Sequence, residues 1–137
     1  MIKLVIVGKD PYPKGAIGIP FVKLLWKDLD RRSAGRNLFE SFFSEREINN
    51  FKSPREAAFS LLGRGVVLLN ASYYFLNRES LRDRHKKFVV LSLRINYPIL
   101  NKAKHVIVCG KDAKKMLSWV IPESSSKLFE FKPHPSL

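Results

Sequence analysis

The sequence predicts an α/β fold of three layers, αβα, around a central four-stranded, mainly parallel sheet, formed by a single domain over residues 1–137. Three observations carry this. Short apolar, β-branched runs (residues 2–7, 66–70, 105–109 and 127–131) recur along the chain and are separated by longer segments with helical spacing. Such runs read as strands buried on both faces, which is the signature of parallel sheets covered by helices. Length and composition agree: 137 residues suit one domain, and 45% hydrophobic with 12% aromatic residues is enough to build a core.

The elements follow in order. Ile2–Val7 is a strand that stops at Gly8 and feeds a loop, Gly8–Pro20, too rich in Gly and Pro for a helix. Ser33 caps a helix to about Phe43, with Leu38, Phe39, Phe42 and Phe43 at helical spacing. Ser53-Pro54-Arg55-Glu56 gives a cap, a first-turn Pro and a Glu three residues after the cap, and that helix runs to Leu62 and ends at Gly63. Val66–Asn70 is the second strand. Arg84 to about Asn101 is helical, with Pro98 expected to kink or end it. His105–Cys109 is the third strand, closed by Gly110; a short helix from Asp112 to about Val120 and a fourth strand, Lys127–Phe131, complete the set.

Charge narrows the partners. Lys and Arg number 25 against 12 Asp and Glu, for a formal net charge of +13, which on a folded domain points to a polyanion, nucleic acid first. No apolar run approaches the ~20 residues that span a bilayer, so no membrane is expected. The lone Cys109 forms no internal disulfide, and three scattered His offer no metal-ligand spacing, which implies a reducing compartment and no metal. No Walker A or G-x-G-x-x-G sequence is present.

In a doubly wound sheet the ligand site lies beyond the carboxyl ends of the strands. Those ends carry Lys9-Asp10-Pro11-Tyr12, Asn70, Gly110-Lys111 and Lys132-Pro133-His134, so the topology predicts that Asp10, Asn70 and His134 meet. An Asn amide offers a donor and an acceptor to a pyrimidine edge, aromatic faces stack on an unpaired base, Asp activates water, and His donates to an oxygen that becomes negative.

Five blocks then carry a resemblance. Gly8-Lys9-Asp10-Pro11-Tyr12-Pro13 resembles the water-activating GQDPYH loop of the uracil-DNA glycosylase superfamily. Gly18-Ile19-Pro20-Phe21 resembles the segment with the stacking Phe, and Gly65–Asn70 the GVLLLN strand. Val106–Lys111 resembles the third strand and its loop, and Pro133-His134-Pro135-Ser136-Leu137 the HPSPL segment. They occur in family order and cover essentially the whole chain. The resemblance implies a uracil-DNA glycosylase-like fold and a DNA N-glycosylase that flips uracil out of DNA and hydrolyses its N-glycosidic bond in base excision repair, with no cofactor. Asp10 and His134 would be catalytic. Lys9, Tyr12, Phe21 and Asn70 would bind the base, Tyr12 by excluding a methyl at C5, Phe21 by stacking and Asn70 by pairing. Ser33, Lys111 and Ser136 would touch the DNA backbone, and Leu137 would wedge into the vacated stack.

Departures from the family pattern define the alternative. Lys9 replaces Gln and Pro13 replaces His, the latter resembling poxviral members that also serve polymerase processivity. Residues 22–32 lack the Pro of the phosphate-gripping loop, and no Pro separates Ser136 from Leu137. Set against the family, the chain starts on the first strand and stops on the wedge residue, without the usual flanking helical segments. The runner-up reading is a weakly active or inactive relative that binds DNA or a polymerase as an accessory factor. Expected partners are uracil-containing DNA, single- or double-stranded, and replication proteins or a polymerase, with the chain itself a monomer. The expected location is a prokaryotic cytoplasm, or the host nucleus or cytoplasm for a viral protein.

Overall fold

The computed structural model describes residues 1–76 and 80–121, and the backbone of 129–132. Strand β1 spans Leu4–Gly8, and three helices follow: α1 (Ala34–Phe42), α2 (Glu45–Asn50) and α3 (Pro54–Gly63). Then come β2 (Val66–Asn70), α4 (Lys86–Lys102), β3 (His105–Cys109), α5 (Lys111–Ser118) and β4 (Phe129–Lys132). The strands form one sheet in the order β2-β1-β3-β4, every neighbouring pair parallel.

Strand periodicity sorts the core into two layers, because alternate side chains of a strand face opposite sides. Ile6, Leu68 and Cys109 face α1–α3, where they pack with Leu38, Phe39, Ile48, Ala57 and Leu61. Val5, Val7, Leu69, Val106 and Val108 face α4 and α5, where they pack with Val89, Leu100, Met116 and Leu117. The connection from β1 to β2 therefore runs over one face and that from β2 to β3 over the other. The two loops part at the carboxyl ends of β1 and β3, the topological switch point of such sheets.

Ser33 caps α1 by accepting from Arg36 N–H at 3.2 Å, and Ser53 caps α3 with Pro54 at the first helical position. Two expectations are corrected. Residues 45–50, given no element by the sequence reading, form α2, started by a full capping box in which Ser44 and Glu47 satisfy each other's backbone N–H. Pro98 does not end α4, which runs on to Lys102. Pro98 removes a hydrogen bond to the Arg94 carbonyl, but both residues lie on the exposed side of the helix, where solvent can reach that carbonyl.

Candidate active site

The carboxyl ends of β1 and β2 are locked together beyond the strands themselves. Gly8 pairs with Asn70, and the ladder continues as Ala71 N–H donates to Gly8 O at 2.8 Å and Ser72 N–H to Lys9 O at 2.9 Å. The loop carrying Asp10 and the turn carrying Asn70 thus leave the sheet side by side. Asp10 is anchored across this junction: its Oδ2 accepts from Leu76 N–H at 2.9 Å.

Tyr12 is fixed through its phenol. The hydroxyl accepts from Gly35 N–H at 2.7 Å, in the first turn of α1, and donates to Phe21 O at 3.3 Å. Burial pushes this phenol above its ordinary pKa, the Gly35 N–H acting in the opposite sense. Phe21 has φ of +67°, a left-handed conformation that a bulky side chain adopts at a cost of about 1–3 kcal/mol. It is held there by close approaches that only glycine allows. A Cβ on Gly35 would lie 1.8 Å from Phe21 O, and one on Gly8 would lie 2.7 Å from the tip of the Phe21 ring.

Asn70 is 5% exposed and its backbone is clamped from beneath. Its carbonyl accepts from Asn96 Nδ2 of α4 at 2.8 Å, and its N–H donates to the Tyr73 hydroxyl at 3.3 Å. One turn earlier on α4, Ser92 Oγ accepts from Tyr73 N–H at 2.9 Å and donates to Phe88 O at 2.8 Å. Asn96 and Ser92 are both buried, and Asn96 Oδ1 has no hydrogen-bond partner.

These segments enclose a cavity of about 380 Å³. Pro11, Tyr12 and Phe21 line it from the first loop, together with Ala16, Gly18 and Ile19, and Asn70, Tyr73 and Phe75 line it from the second. Its size falls within the range of small-molecule sites. The arrangement can take a flat, partly polar ring between aromatic walls, with one buried amide to read its edge and an anchored carboxylate one residue before the wall at Pro11.

Of the residues singled out in the sequence, Tyr12, Phe21 and Asn70 line this cavity and Asp10 stands beside it. Phe21 serves two purposes, since it is also a member of the core facing α1–α3. Lys9 reaches across the switch point instead, its Nζ 3.1 Å from Asp112 Oδ2 in the first turn of α5. Ser33 spends its hydroxyl on the helix cap and on Asp30 O, to which it donates at 2.7 Å. Lys111 opens α5, exposed, just after Gly110 with φ of +94°. His134, Ser136 and Leu137 lie outside the described residues. Among the described residues no cluster of His, Cys, Asp or Glu suits a metal ion.

Sequence reasoning missed four residues. Tyr73, Tyr74 and Phe75 form an aromatic cluster after Asn70 that in the sequence reads mostly as core, with one ring near DNA as the lesser reading; Tyr73 and Phe75 line the cavity. Asn96 and Ser92 were hidden in an apolar helix, where their spacing of four residues on one face was the available signal. Beneath them His85 is buried at the start of α4, its Nδ1 accepting from Arg82 N–H at 3.1 Å. Burial depresses its pKa, as do the cations of Arg84, Lys9 and Arg82, while the Asp10 charge acts in the opposite sense.

No protein-family model matches the chain. It is 30% identical, over an alignment 141 positions long, to a uracil-DNA glycosylase of human herpesvirus 7, the match taking in 98% of this chain and 52% of that protein. The chain therefore spans about half the length of this curated relative. Among solved structures, UNG from Nitratifractor salsuginis superposes with a TM-score of 0.60 at 17% identity, covering 99% of this chain and 66% of that one. A mimivirus UNG solved in complex with UGI gives a TM-score of 0.60 at 21% identity, covering 98% of this chain and 51% of the other.

Proposed function

We propose that this chain, a homologue of the uracil-DNA glycosylases that shares their fold, removes uracil from DNA by hydrolysing its N-glycosidic bond. The observation that carries the reading is the meeting of Tyr12, Phe21 and Asn70, from three sequence segments, around one base-sized cavity beside the anchored Asp10. A flipped uracil enters this cavity, stacks on Phe21, presents its N3–H and O4 edge to the Asn70 amide, and sets its C5 against the rigid Tyr12 ring. Asp10 orients a water toward C1′ and takes its proton. The C1′–N1 bond breaks with its electron pair leaving on uracil, and His134 donates a hydrogen bond to O2 as charge develops there. The products are free uracil and an abasic site. Lys111 and Ser136 face the DNA backbone in this reading, whereas Ser33, whose N–H and hydroxyl both donate to Asp30 O, is left to its structural role; Leu137 fills the space that the base leaves.

Uracil-bearing oligonucleotides, single-stranded and duplex, followed by alkaline cleavage of abasic sites, test it. Wild type should yield cleavage at the uracil, and Asp10→Asn should lose at least about a hundredfold in rate, the usual contribution of acid–base catalysis, with DNA binding retained. DNA binding without any cleavage at enzyme excess would instead establish the accessory, non-catalytic reading.

A further inference from the structure

The strand order leaves β2 at the edge of the sheet, and among the described residues no strand covers its outer side. Its bonds to β1 are made by alternate residues: Gly65 O accepts from Leu4 N–H at 3.1 Å, and Ala71 N–H donates to Gly8 O at 2.8 Å. In that register the N–H and C=O groups of Val66, Leu68 and Asn70 point away from β1. Asn70 has both groups satisfied, by the Tyr73 hydroxyl and by Asn96 Nδ2. Val66 and Leu68 present theirs to an open edge. Beside it lies an apolar hollow of about 350 Å³, walled by Phe59 and Leu62 of α3 and by Ile95 and Ile99 of α4, with no charged residue in its lining. Phe59, Leu62 and Ile95 are each about half exposed.

We infer that this edge is a docking site for an extended, acidic segment of a partner protein, which adds to the sheet as a strand beside β2. Three features select that occupant. Outward backbone donors and acceptors select an extended chain. Walls on both sides select apolar residues at consecutive positions, since alternate side chains of the added strand face α3 and α4. The rim selects carboxylates. Arg55 lies over the Phe59 ring at 5.2 Å. At the amino end of β2, Arg64 precedes Gly65, and the Lys3 N–H donates to Gly65 O. Helix α4 ends at the same end of the sheet, because β3 begins there opposite Leu4, and Lys102 follows Ile99 by one helical turn. Lys3, Arg64 and Lys102 are all exposed. A second copy of this chain would instead bring together two molecules of net charge +13. Antiparallel pairing is the stronger arrangement and places the carboxylates at the carboxyl end of the docked segment. The inference is independent of the chemistry at the base cavity.

The test uses the synthetic peptide acetyl-Val-Tyr-Val-Ile-Val-Glu-Glu-amide, with binding followed by calorimetry and by amide hydrogen exchange. It should bind with a Kd of about 10–100 μM, as suits a small interface, and slow exchange at the Val66 and Leu68 amides. Replacing both of its Glu by Lys should weaken binding at least about tenfold, and N-methylation of its central amides should abolish it. Phe59→Asp combined with Ile95→Asp should abolish binding while leaving Tm within a few degrees, since both side chains are exposed. No binding at about 1 mM peptide overturns the inference. So does binding that leaves the Val66 and Leu68 amides unprotected, or equal affinity for the Lys peptide. A dimer in sedimentation that protects those amides without peptide overturns it in favour of a second copy. Should the double variant fail to fold, the exchange pattern and the Glu-to-Lys comparison on wild type decide.

Discussion

The two segments that frame the cavity reach rigidity by opposite routes. The loop after β1 is exposed over residues 13–18 and carries left-handed backbone at Gly15, Gly18 and Phe21. It is pinned from above at single points: the Tyr12 phenol, the Gly35 N–H and the Phe21 carbonyl. The turn after β2 is mostly buried through Ser72 and is pinned from below by the polar face of α4, Ser92 and Asn96. The first segment depends on a missing side chain, the second on a buried amide. A loop can be made precise by close packing without burial, and a turn by hydrogen bonds that burial makes costly to break.

Three changes separate these routes. Gly35→Ala should be the most damaging, costing about 3 kcal/mol, because a methyl group would meet the Phe21 carbonyl and helix α1 must shift. Thermal unfolding should show the loss, and uracil release should fall with it as Tyr12 is displaced. Loss of less than about 1 kcal/mol would mean that the first loop is freer to adjust than its contacts imply. Asn96→Ala should cost roughly 1–3 kcal/mol by leaving the Asn70 carbonyl buried and unpaired. Its kinetic mark should be a raised KM for uracil with a smaller change in kcat, since Asn96 touches the residue proposed to read the base and not the reacting atoms.

The smallest effect concerns His85, which lies under the same rim. Its folded pKa is depressed, so the unfolded chain binds the proton more readily, and stability rises with pH between the folded value and the ordinary 6.5. Acidification below about pH 6.5 should therefore lower Tm, and His85→Gln should flatten that part of the profile. An identical slope in the variant would assign the acid sensitivity to other groups.

What was legible in the sequence follows from the same contrast. β2 and β3 occupy the expected residues, 66–70 and 105–109, because strands buried on both faces write themselves as unbroken β-branched runs ending at Asn70 or before Gly110. β1 starts later than expected, at Leu4, and the first pairing with β2 is Leu4 with Val66. α2 escaped notice because six residues are too few to show a helical period, though Ser44 and Glu47 spelled its capping box. Asp10, Tyr12 and Asn70 were readable because they follow strand ends, whereas Phe21, well past the end of β1, was picked out only by the family resemblance of Gly18-Ile19-Pro20-Phe21. Tyr73, Ser92 and Asn96 were not, because their roles lie in contacts between a turn and a helix about 20 residues apart, which no local pattern encodes.

The strand order has a consequence for how the chain comes together in time. β1 is an inner strand, yet both its partners, β2 and β3, lie far downstream. No hairpin or other local pairing is open to it, so its apolar residues Val5, Ile6 and Val7 wait unpaired until Val66 and then His105 have emerged. Such distant pairings make folding slow and expose sticky intermediates during synthesis. The cavity can exist only after that late closure, since Asp10 finds its anchor at Leu76 and Asn70 finds its own at Asn96. A nascent chain therefore completes this cavity near the end of folding, in one step.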